Sequence, residues 1–136
     1  MKNHLLIIFG AALGFLGCAS EGPYVPSSPN PGVETQSPHM VVILDRELVP
    51  MVAVEGQEAE KTGRGYLVAK GNIRNRTNQD FQVQVQAVFR DARGFCIGDT
   101  SAWETLVLTA NETRSLRIVS MSKKAERFTI RVRMSR

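Results

Sequence analysis

The chain has 136 residues, which is enough for one modest domain. Lys and Arg number 17 against 13 Asp and Glu, a formal net charge of +4, whereas a dedicated nucleic-acid binder carries a much denser positive field. Nucleic acid is therefore not an expected partner. His4 and His39 both precede the predicted domain, so histidine-dependent catalysis and histidine-ligated metal sites lack their central residue.

The first segment has the pattern of a secretory leader. A basic start is followed by an apolar run over residues 5–16, which is too short to span a bilayer. The run Phe15-Leu16-Gly17-Cys18-Ala19 is similar to the lipobox of bacterial lipoproteins, in which the cysteine is acylated and becomes the new N-terminus. We therefore predict a signal peptide over residues 1–17 and a lipid on Cys18. Cleavage after Ser20 is the alternative.

Residues 18–39 have the composition of a tether. They hold five of the six prolines, together with Ser, Gly and Asn, and such a segment cannot bury enough apolar area to offset its ordering. In an extended conformation it would hold a folded unit some tens of Å from a membrane, at about 3 Å per residue. Ala19 after Cys18 favours the outer membrane, because the signal that retains lipoproteins in the inner membrane resembles an Asp at that position. We expect a lipid-anchored protein on the periplasmic side.

From Met40 onward the apolar residues recur with a period of two, which indicates strands. The clearest case is residues 81–90, where one face is apolar and the other is mostly amide. Residues 55–65 are polar and are predicted to be a mobile loop, and Asp91-Ala92-Arg93-Gly94 has the composition of a tight turn. The predicted strands are 40–45 with a weaker continuation at 48–54, then 66–75, 81–90, 95–97, 103–108, 114–119 and 128–134.

About seven short strands without a convincing helix predict an all-β domain over residues 40–136. Each sheet has one apolar face that needs covering, so the expected fold is an antiparallel two-sheet sandwich of the immunoglobulin-like class. A small closed barrel is the second choice.

Carboxylates offer the main route to catalysis or cation binding. Asp91, Asp99 and Glu104 lie close in sequence, and at one end of a sandwich they would serve as a calcium site or as an acid and base pair. Asp91 and Asp99 instead have the sequence context of turn residues, and Glu104 alternates with an apolar neighbour. We therefore predict no catalytic residue, no metal and no cofactor.

Basic residues are the candidate binding surface. Those of the last two predicted strands and of the segment between them would form a positive stripe if the two strands are neighbours. Such a stripe suits an acidic protein or the phosphate and carboxylate groups of lipopolysaccharide or peptidoglycan. The alternative is that these side chains maintain solubility and protect a sheet edge. The residues concerned are Arg114, Arg117, Lys123, Lys124, Arg127, Arg131 and Arg133.

Cysteine and aromatic residues are expected mainly in the core. Cys96 lies in an apolar run and is predicted to be a buried small hydrophobe, with a reactive thiol as the alternative. Trp103 is likewise expected in the core, although Trp103 and Tyr66 would also suit exposed recognition. The sequons Asn75-Arg76-Thr77 and Asn111-Glu112-Thr113 are interpreted as turn residues, since the lipobox indicates a bacterium.

The middle of the chain carries a recognisable set of motifs: Asn75-Arg76-Thr77, Val83-Gln84-Val85-Gln86, Phe89-Arg90-Asp91-Ala92-Arg93-Gly94 and Trp103. In these motifs it resembles the YcfL-like family of bacterial periplasmic lipoproteins. The resemblance covers roughly residues 65–133 and implies an immunoglobulin-like sandwich anchored to the envelope, in a family of undefined biochemical role that offers no catalytic residue.

Together these observations predict a cell-envelope lipoprotein that acts as a binding or assembly module. Its expected partners are the membrane, through the N-terminal lipid, and an envelope protein or anionic envelope component. Two alternatives are a carboxylate-based hydrolase or calcium-binding domain, and a spacer that pairs through a sheet edge.

Overall fold

A computed structural model of the chain describes residues 22–24 and 40–136. The predicted signal peptide and residues 18–21 and 25–39 of the predicted tether, including Cys18, lie outside the described residues. Within the described ranges, no helix is long and apolar enough to cross a membrane.

Residues 40–136 form eight strands and one short 3-10 helix at Arg46–Leu48. The long strands are those with the regular alternation of apolar and polar residues, as the period of two predicts. The strands are β1 Met40–Ile43, β2 Val52–Lys61, β3 Leu67–Asn75, β4 Phe81–Arg90, β5 Cys96–Thr100, β6 Glu104–Leu108, β7 Thr113–Val119 and β8 Arg127–Met134.

The strands assemble into two sheets, which confirms the predicted β-sandwich in preference to a closed barrel. One sheet has the order β1-β8-β4-β5, with β6 also paired to β4, and the other has the order β2-β3-β7. Strands β5 and β6 share one edge of β4, because β6 pairs with residues 81–85 and β5 with residues 88–90. All pairs are antiparallel except β1 and β8, which are parallel.

The core lies between the two sheets and is built from the alternating apolar residues. Phe89 of β4 and Phe128 of β8 are its largest fully buried side chains, and Ile73 of β3 contributes to it from the other sheet. Gly71 brings the sheets close together, since a Cβ atom there would lie 3.3 Å from Cδ1 of Ile130. Burial of these side chains is the main stabilising contribution to the fold.

The prediction of a loop over residues 55–65 is wrong for residues 55–61, because β2 continues to Lys61, whereas residues 62–65 do belong to a connection. Glu58 and Glu60 pair with β3 through their backbones while their side chains are exposed. A β-bulge at Glu55 interrupts the register between Val54 and Gly56. An edge strand of this kind carries few apolar side chains, so it lacks the hydrophobic alternation that reveals a strand.

The prediction that Cys96 is buried is also wrong: the thiol is free and exposed. Cys96 begins the edge strand β5 and lies opposite Arg90, whose side chain belongs to the outward face of the sheet. The neighbouring Phe95 is 67% exposed. Phe95 and Cys96 are therefore exposed at a sheet edge, whereas Ile97 of the same apolar run packs against the core.

The two ends of the sandwich carry different connections. Arg90 pairs with Arg127 at one end, where Ser120 also donates its backbone N–H to the carbonyl of Leu67. We call this the Arg90 end, and it holds the connections 62–66, 91–95 and 120–126. The opposite end, called the Leu44 end, holds the connections 44–51, 76–80 and 109–112.

Asn75 joins two connections at the Leu44 end. Its side chain is fully buried, and Nδ2 donates to the carbonyl oxygens of Gln79, Leu108 and Thr109 at 2.7, 3.1 and 3.0 Å. Its Oδ1 accepts from the backbone N–H and the hydroxyl of Thr77, both at 2.8 Å. The first sequon thus forms part of a turn, as the sequence indicates. The side-chain amide of Asn75 forms hydrogen bonds with five polar groups.

Replacing Asn75 by Asp should destabilise the domain by about 2–4 kcal/mol. The substitution preserves size, but it removes the amide donors and places a carboxylate oxygen against three carbonyl oxygens in a buried position. Urea denaturation followed by Trp103 fluorescence measures the change in the free energy of unfolding. Asn78→Asp, in the exposed part of the same turn, is the control and should change that free energy by less than about 0.5 kcal/mol.

Candidate anion-binding surface

The outward face of the five-stranded sheet sets glutamines opposite arginines. The antiparallel register of β4 and β8 pairs Gln84 with Arg133 and Gln86 with Arg131. These residues alternate with the core residues of their strands, so their side chains share the outward face. The alternation that buries one side of each strand therefore creates this polar arrangement on the other side.

Hydrogen bonds to the glutamines hold the two arginine side chains along the sheet. Arg133 Nε donates to Gln84 Oε1 at 2.9 Å, and Arg131 Nη2 donates to Gln86 Oε1. Gln86 is itself fixed, because its side chain is only 8% exposed and its Nε2 donates to the carbonyl of Ser101 at 2.9 Å. The glutamine carbonyls are neutral acceptors, so they orient the guanidinium groups without neutralising them.

Trp103 lies against these arginines. The guanidinium carbon of Arg133 is 3.9 Å from the centre of the indole ring, and that of Arg131 is 5.7 Å away. Both distances fall within the range of cation–π contacts. The expectation that Trp103 lies in the core is therefore wrong: the ring is partly exposed on the outward face, next to an edge that β5 and β6 share.

Two further arginines extend this surface toward the Arg90 end. Arg90 Nη2 donates to Oγ1 of Thr129 at 2.7 Å, and Arg127 lies opposite Arg90 in the register. The Nε atoms of Arg90 and Arg131 are buried and have no hydrogen-bond acceptor in the described part of the chain. We define the arginine face as Arg90, Arg127, Arg131 and Arg133 with Gln84, Gln86 and Trp103.

No ion pair neutralises the arginine face in the part of the chain that the structure describes. Within residues 22–24 and 40–136, none of its four arginines has a carboxylate oxygen within 4.0 Å. Fixed guanidinium groups with this surplus charge bind carboxylate or phosphate groups well, because their N–H groups form a planar array of donors. The surface is thus suited to an anionic ligand.

The outward face of the three-stranded sheet has charges that neutralise one another. Lys70 pairs with Glu60 and lies 3.8 Å from Glu58, and Arg74 donates to Glu55 at 3.1 Å. The hydrogen bond from Lys70 holds the pKa of Glu60 below its ordinary value, and the same contact raises the pKa of Lys70. An open depression of about 430 Å³ lies on this sheet. Its ion pairs make it a weaker anion site than the arginine face.

The predicted basic residues divide among three places. Arg127, Arg131 and Arg133 belong to the arginine face, whereas β7, which carries Arg114 and Arg117, lies in the other sheet. One continuous stripe therefore does not form, because β7 and β8 are not neighbours. The remaining two residues, Lys123 and Lys124, lie in the connection between these strands at the Arg90 end.

Residues of β4 complete the arginine face, whose sequence-predicted basic residues all lie on β8. Gln84, Gln86 and Arg90 were not identified as site residues, although their strand was. The sequence feature that indicates these residues is the alternation of β4, which places its glutamines and its final arginine on the outward face. Tyr66, the other aromatic candidate, is at the Arg90 end, where the Lys123 ammonium lies 5.7 Å from its ring centre.

The candidate carboxylates hold separate loops. Asp91 Oδ1 accepts from the backbone N–H groups of Arg93 and Phe95, both at 2.9 Å. Asp99 Oδ2 accepts from those of Met121 and Ser122, both at 2.8 Å, and Glu104 is exposed at the start of β6. No cluster of three or more His, Cys, Asp or Glu side chains suited to a metal occurs among the residues that the structure describes. Asp91 and Asp99 therefore have structural roles.

The fold and the surface define an all-β sandwich protein with one charged, partly preorganised sheet face. The chain belongs to the family described as "Protein of unknown function (DUF1425)", whose family model matches residues 39–134. No curated protein matches the chain significantly.

Solved structures support the fold. The chain is similar to the crystal structure of cj0090 from Campylobacter jejuni, with a TM-score of 0.56 and 19% identity over 70% of this chain and 97% of that one. It is also similar to a DUF1425 family member from Shewanella sp. pv-4, with a TM-score of 0.56 and 23% identity over 62% and 79%. At these identities the similarity establishes the sandwich architecture alone.

Removing the Arg133 side chain should expose the indole of Trp103. Trp103 is the sole tryptophan, so intrinsic fluorescence reports on this position alone. We expect Arg133→Ala to increase the acrylamide quenching constant about twofold, because the guanidinium group covers the ring. Arg127→Ala removes the same groups from the far end of the strand and should leave quenching unchanged. Equal quenching in wild type and Arg133→Ala would contradict the stacked geometry.

Proposed function

We propose that this protein is a non-catalytic binding module of the bacterial cell envelope, and that its arginine face binds an anionic envelope component. The observation that carries the proposal is the pair Arg131 and Arg133, which are oriented by glutamine carbonyls and by Trp103 but have no carboxylate partner within the described ranges. The same contacts distinguish these arginines from side chains that serve solubility alone.

Preorganisation favours binding over a purely solubilising role. A solvated arginine loses considerable side-chain entropy when it binds a ligand, which weakens the complex. Arg131 and Arg133 have already lost part of that freedom through their hydrogen bonds and ring contacts. Their remaining N–H groups are thus placed to bind an oxyanion at a smaller entropic cost.

The length of the arginine face indicates a ligand with several negative charges. Arg127 and Arg133 are six residues apart on β8, which corresponds to about 20 Å along the strand. A single small anion would contact only part of this distance. The phosphate and carboxylate groups of lipopolysaccharide, the carboxylates of peptidoglycan and the surface of an acidic protein are all ligands of suitable chemistry.

The positions of the carboxylates and sheet edges favour this proposal over the two alternatives. Asp91 and Asp99 are each bonded to backbone N–H groups of different loops, an arrangement that suits a structural role better than an acid and base pair. A spacer that pairs through its edge would need an unprotected edge strand. Instead, β2 carries exposed glutamates and β7 exposed arginines, which oppose edge-to-edge association.

Location in the envelope is part of the proposal and is supported by the leader sequence. The apolar run, the lipobox-like sequence ending at Cys18, and the resemblance to YcfL-like lipoproteins favour export and lipid anchoring. Ala19 after Cys18 favours the outer membrane. The sandwich would then face the periplasm, where lipopolysaccharide, peptidoglycan and acidic envelope proteins are accessible.

Loss of charge on the arginine face should weaken anion binding more than the same loss elsewhere. We expect Arg131→Gln/Arg133→Gln to reduce the affinity for purified lipopolysaccharide or peptidoglycan sacculi by about tenfold to a hundredfold, as for the loss of two charge-assisted contacts. Arg114→Gln/Arg117→Gln makes the same change in net charge on the other sheet. Co-sedimentation and biolayer interferometry at several salt concentrations measure the two affinities. Equal weakening in both variants would indicate non-specific attraction and reject the proposed site, and an unchanged affinity would reject it as well.

Substitution of Cys18 should remove the protein from the outer membrane. We expect the wild type to incorporate radiolabelled palmitate and to fractionate with the outer membrane, whereas Cys18→Ala should be unlabelled and absent from that fraction. Cys96→Ala retains the lipobox and should behave as the wild type. Cleavage after Ser20, identified by mass spectrometry of the mature N-terminus, would contradict lipid anchoring.

A further inference from the structure

A short piece of the predicted tether pairs with the edge of the five-stranded sheet. Tyr24 donates its N–H to the carbonyl of Ile43 at 2.6 Å and accepts the Ile43 N–H at 2.7 Å, which is a complete antiparallel pair. The Tyr24 side chain is half-buried and packs against the hydrophobic core. Tyr24 therefore extends the sheet beyond β1 and covers part of its apolar edge.

The contact between residues 22–24 and the sheet edge requires a glycine at position 22. Its φ is +55°, in the left-handed region that favours glycine, and a Cβ atom there would lie 2.9 Å from the carbonyl oxygen of Leu44. Any larger residue would be strained and would collide with the backbone of the domain. Two independent features, a paired tyrosine and a closely packed glycine, thus fit Gly22–Pro23–Tyr24 to this edge.

The direction of this pairing determines where the N-terminus leaves the sandwich. Strand β1 runs toward the Leu44 end, because it is parallel to β8 and pairs Met40 with Thr129 and Ile43 with Val132. Tyr24 is antiparallel to β1. Pro23 and Gly22, which precede Tyr24, therefore lie on the side of the Leu44 end. The position of Gly22 beside Leu44 agrees with this direction. The described segment 22–24 therefore enters the sheet from the Leu44 end.

We propose that residues 22–24 are a docking strand that holds the Leu44 end of the sandwich against the headgroup surface of the bilayer. The membrane part of this inference rests on the proposed lipid at Cys18. Cys18 is four residues before Gly22 and can extend at most about 14 Å from it, whereas an undocked segment of 22 residues would reach about 80 Å from Met40. Docking thus converts a long tether into a short one.

The docked arrangement also sets the orientation of the molecule. The Leu44 end faces the lipid, and the Arg90 end lies about 30 Å farther away, since β4 has ten residues. Phe95 and Met121, which are 67% and 84% exposed, belong to the connections at that far end. The arginine face lies on the side of the sandwich between the two ends, where it is accessible to ligands beside the membrane.

Amide exchange tests the docking strand without reference to the lipid. The Ile43 N–H is bonded to Tyr24, whereas the next one, of Leu44, is bonded to Val132 inside the sheet. In the full-length mature protein, Gly22→Val should speed exchange of Ile43 at least tenfold and leave Leu44 unchanged. Gly63→Val is the matched control, because a Cβ atom at Gly63 meets nothing within 4 Å. Rapid exchange of Ile43 in the wild type, or no effect of Gly22→Val, would overturn the docking strand.

Energy transfer tests the orientation in a membrane. Lipidated protein purified from membranes is placed in vesicles that contain dansyl-phosphatidylethanolamine, and transfer from Trp103 to the dansyl groups is measured. Gly22→Val should reduce the transfer efficiency at least twofold, since the longer tether lets the domain move away, and Gly63→Val should not. Equal efficiency for wild type and Gly22→Val would reject the orientation. A wild type that carries no lipid would reject the anchor proposal, and amide exchange would still decide whether the strand docks.

Discussion

The pairing of β4 with β8 is the interaction on which the rest of the structure depends. The two strands pair over eight residues each, from Val83 with Met134 to Arg90 with Arg127. Every other strand of that sheet attaches to one of these two: β1 to β8, and β5 and β6 to β4. Their inward side chains include Phe89 and Phe128, the largest fully buried residues of the core. Their outward side chains form most of the arginine face.

Stability and the candidate site are coupled through this one register. A shift of one residue would turn the arginines of β8 inward and the core residues outward, which a buried face does not tolerate. The same constraint that buries Ile130 and Val132 therefore places Arg131 and Arg133 opposite glutamines. The site needs little additional structure, since only Trp103 is contributed by a connection outside these two strands.

The sequence predicts the parts of the fold in which each strand has one apolar face. Strands β4 and β8 alternate regularly, so their extent and their outward residues could be predicted. The outer part of β2 has polar side chains on both faces and depends on backbone pairing with β3, which local composition does not reveal. The predictions that Cys96 and Trp103 are buried in the core were wrong for a related reason. Hydrophobicity does not show whether an apolar residue lies at a sheet edge or between the sheets.

The candidate site was only partly predictable because it depends on which strands share a sheet. Arg131 and Arg133 of β8 lie on an outward face, as the alternation predicts. Strand β7 instead pairs with β3 in the other sheet, so its arginines do not join them. Consecutive strands are often neighbours, yet in a sandwich the chain also crosses between sheets. The contribution of Gln84 and Gln86 required the cross-strand register, which joins residues nearly fifty positions apart.

The parallel pair of β1 and β8 has a consequence for the order of folding. Met40 and Thr129 lie at opposite ends of the domain sequence, and Asp45 accepts the backbone N–H of Met134 at 2.7 Å. Contacts of such long sequence separation require closure of nearly the whole chain, so they form slowly. A chain that is synthesised from its N-terminus cannot complete this sheet until β8 is available. The hairpin of β2 and β3 can form early, whereas the pairing of β1 with β8 has to wait until β8 has been synthesised.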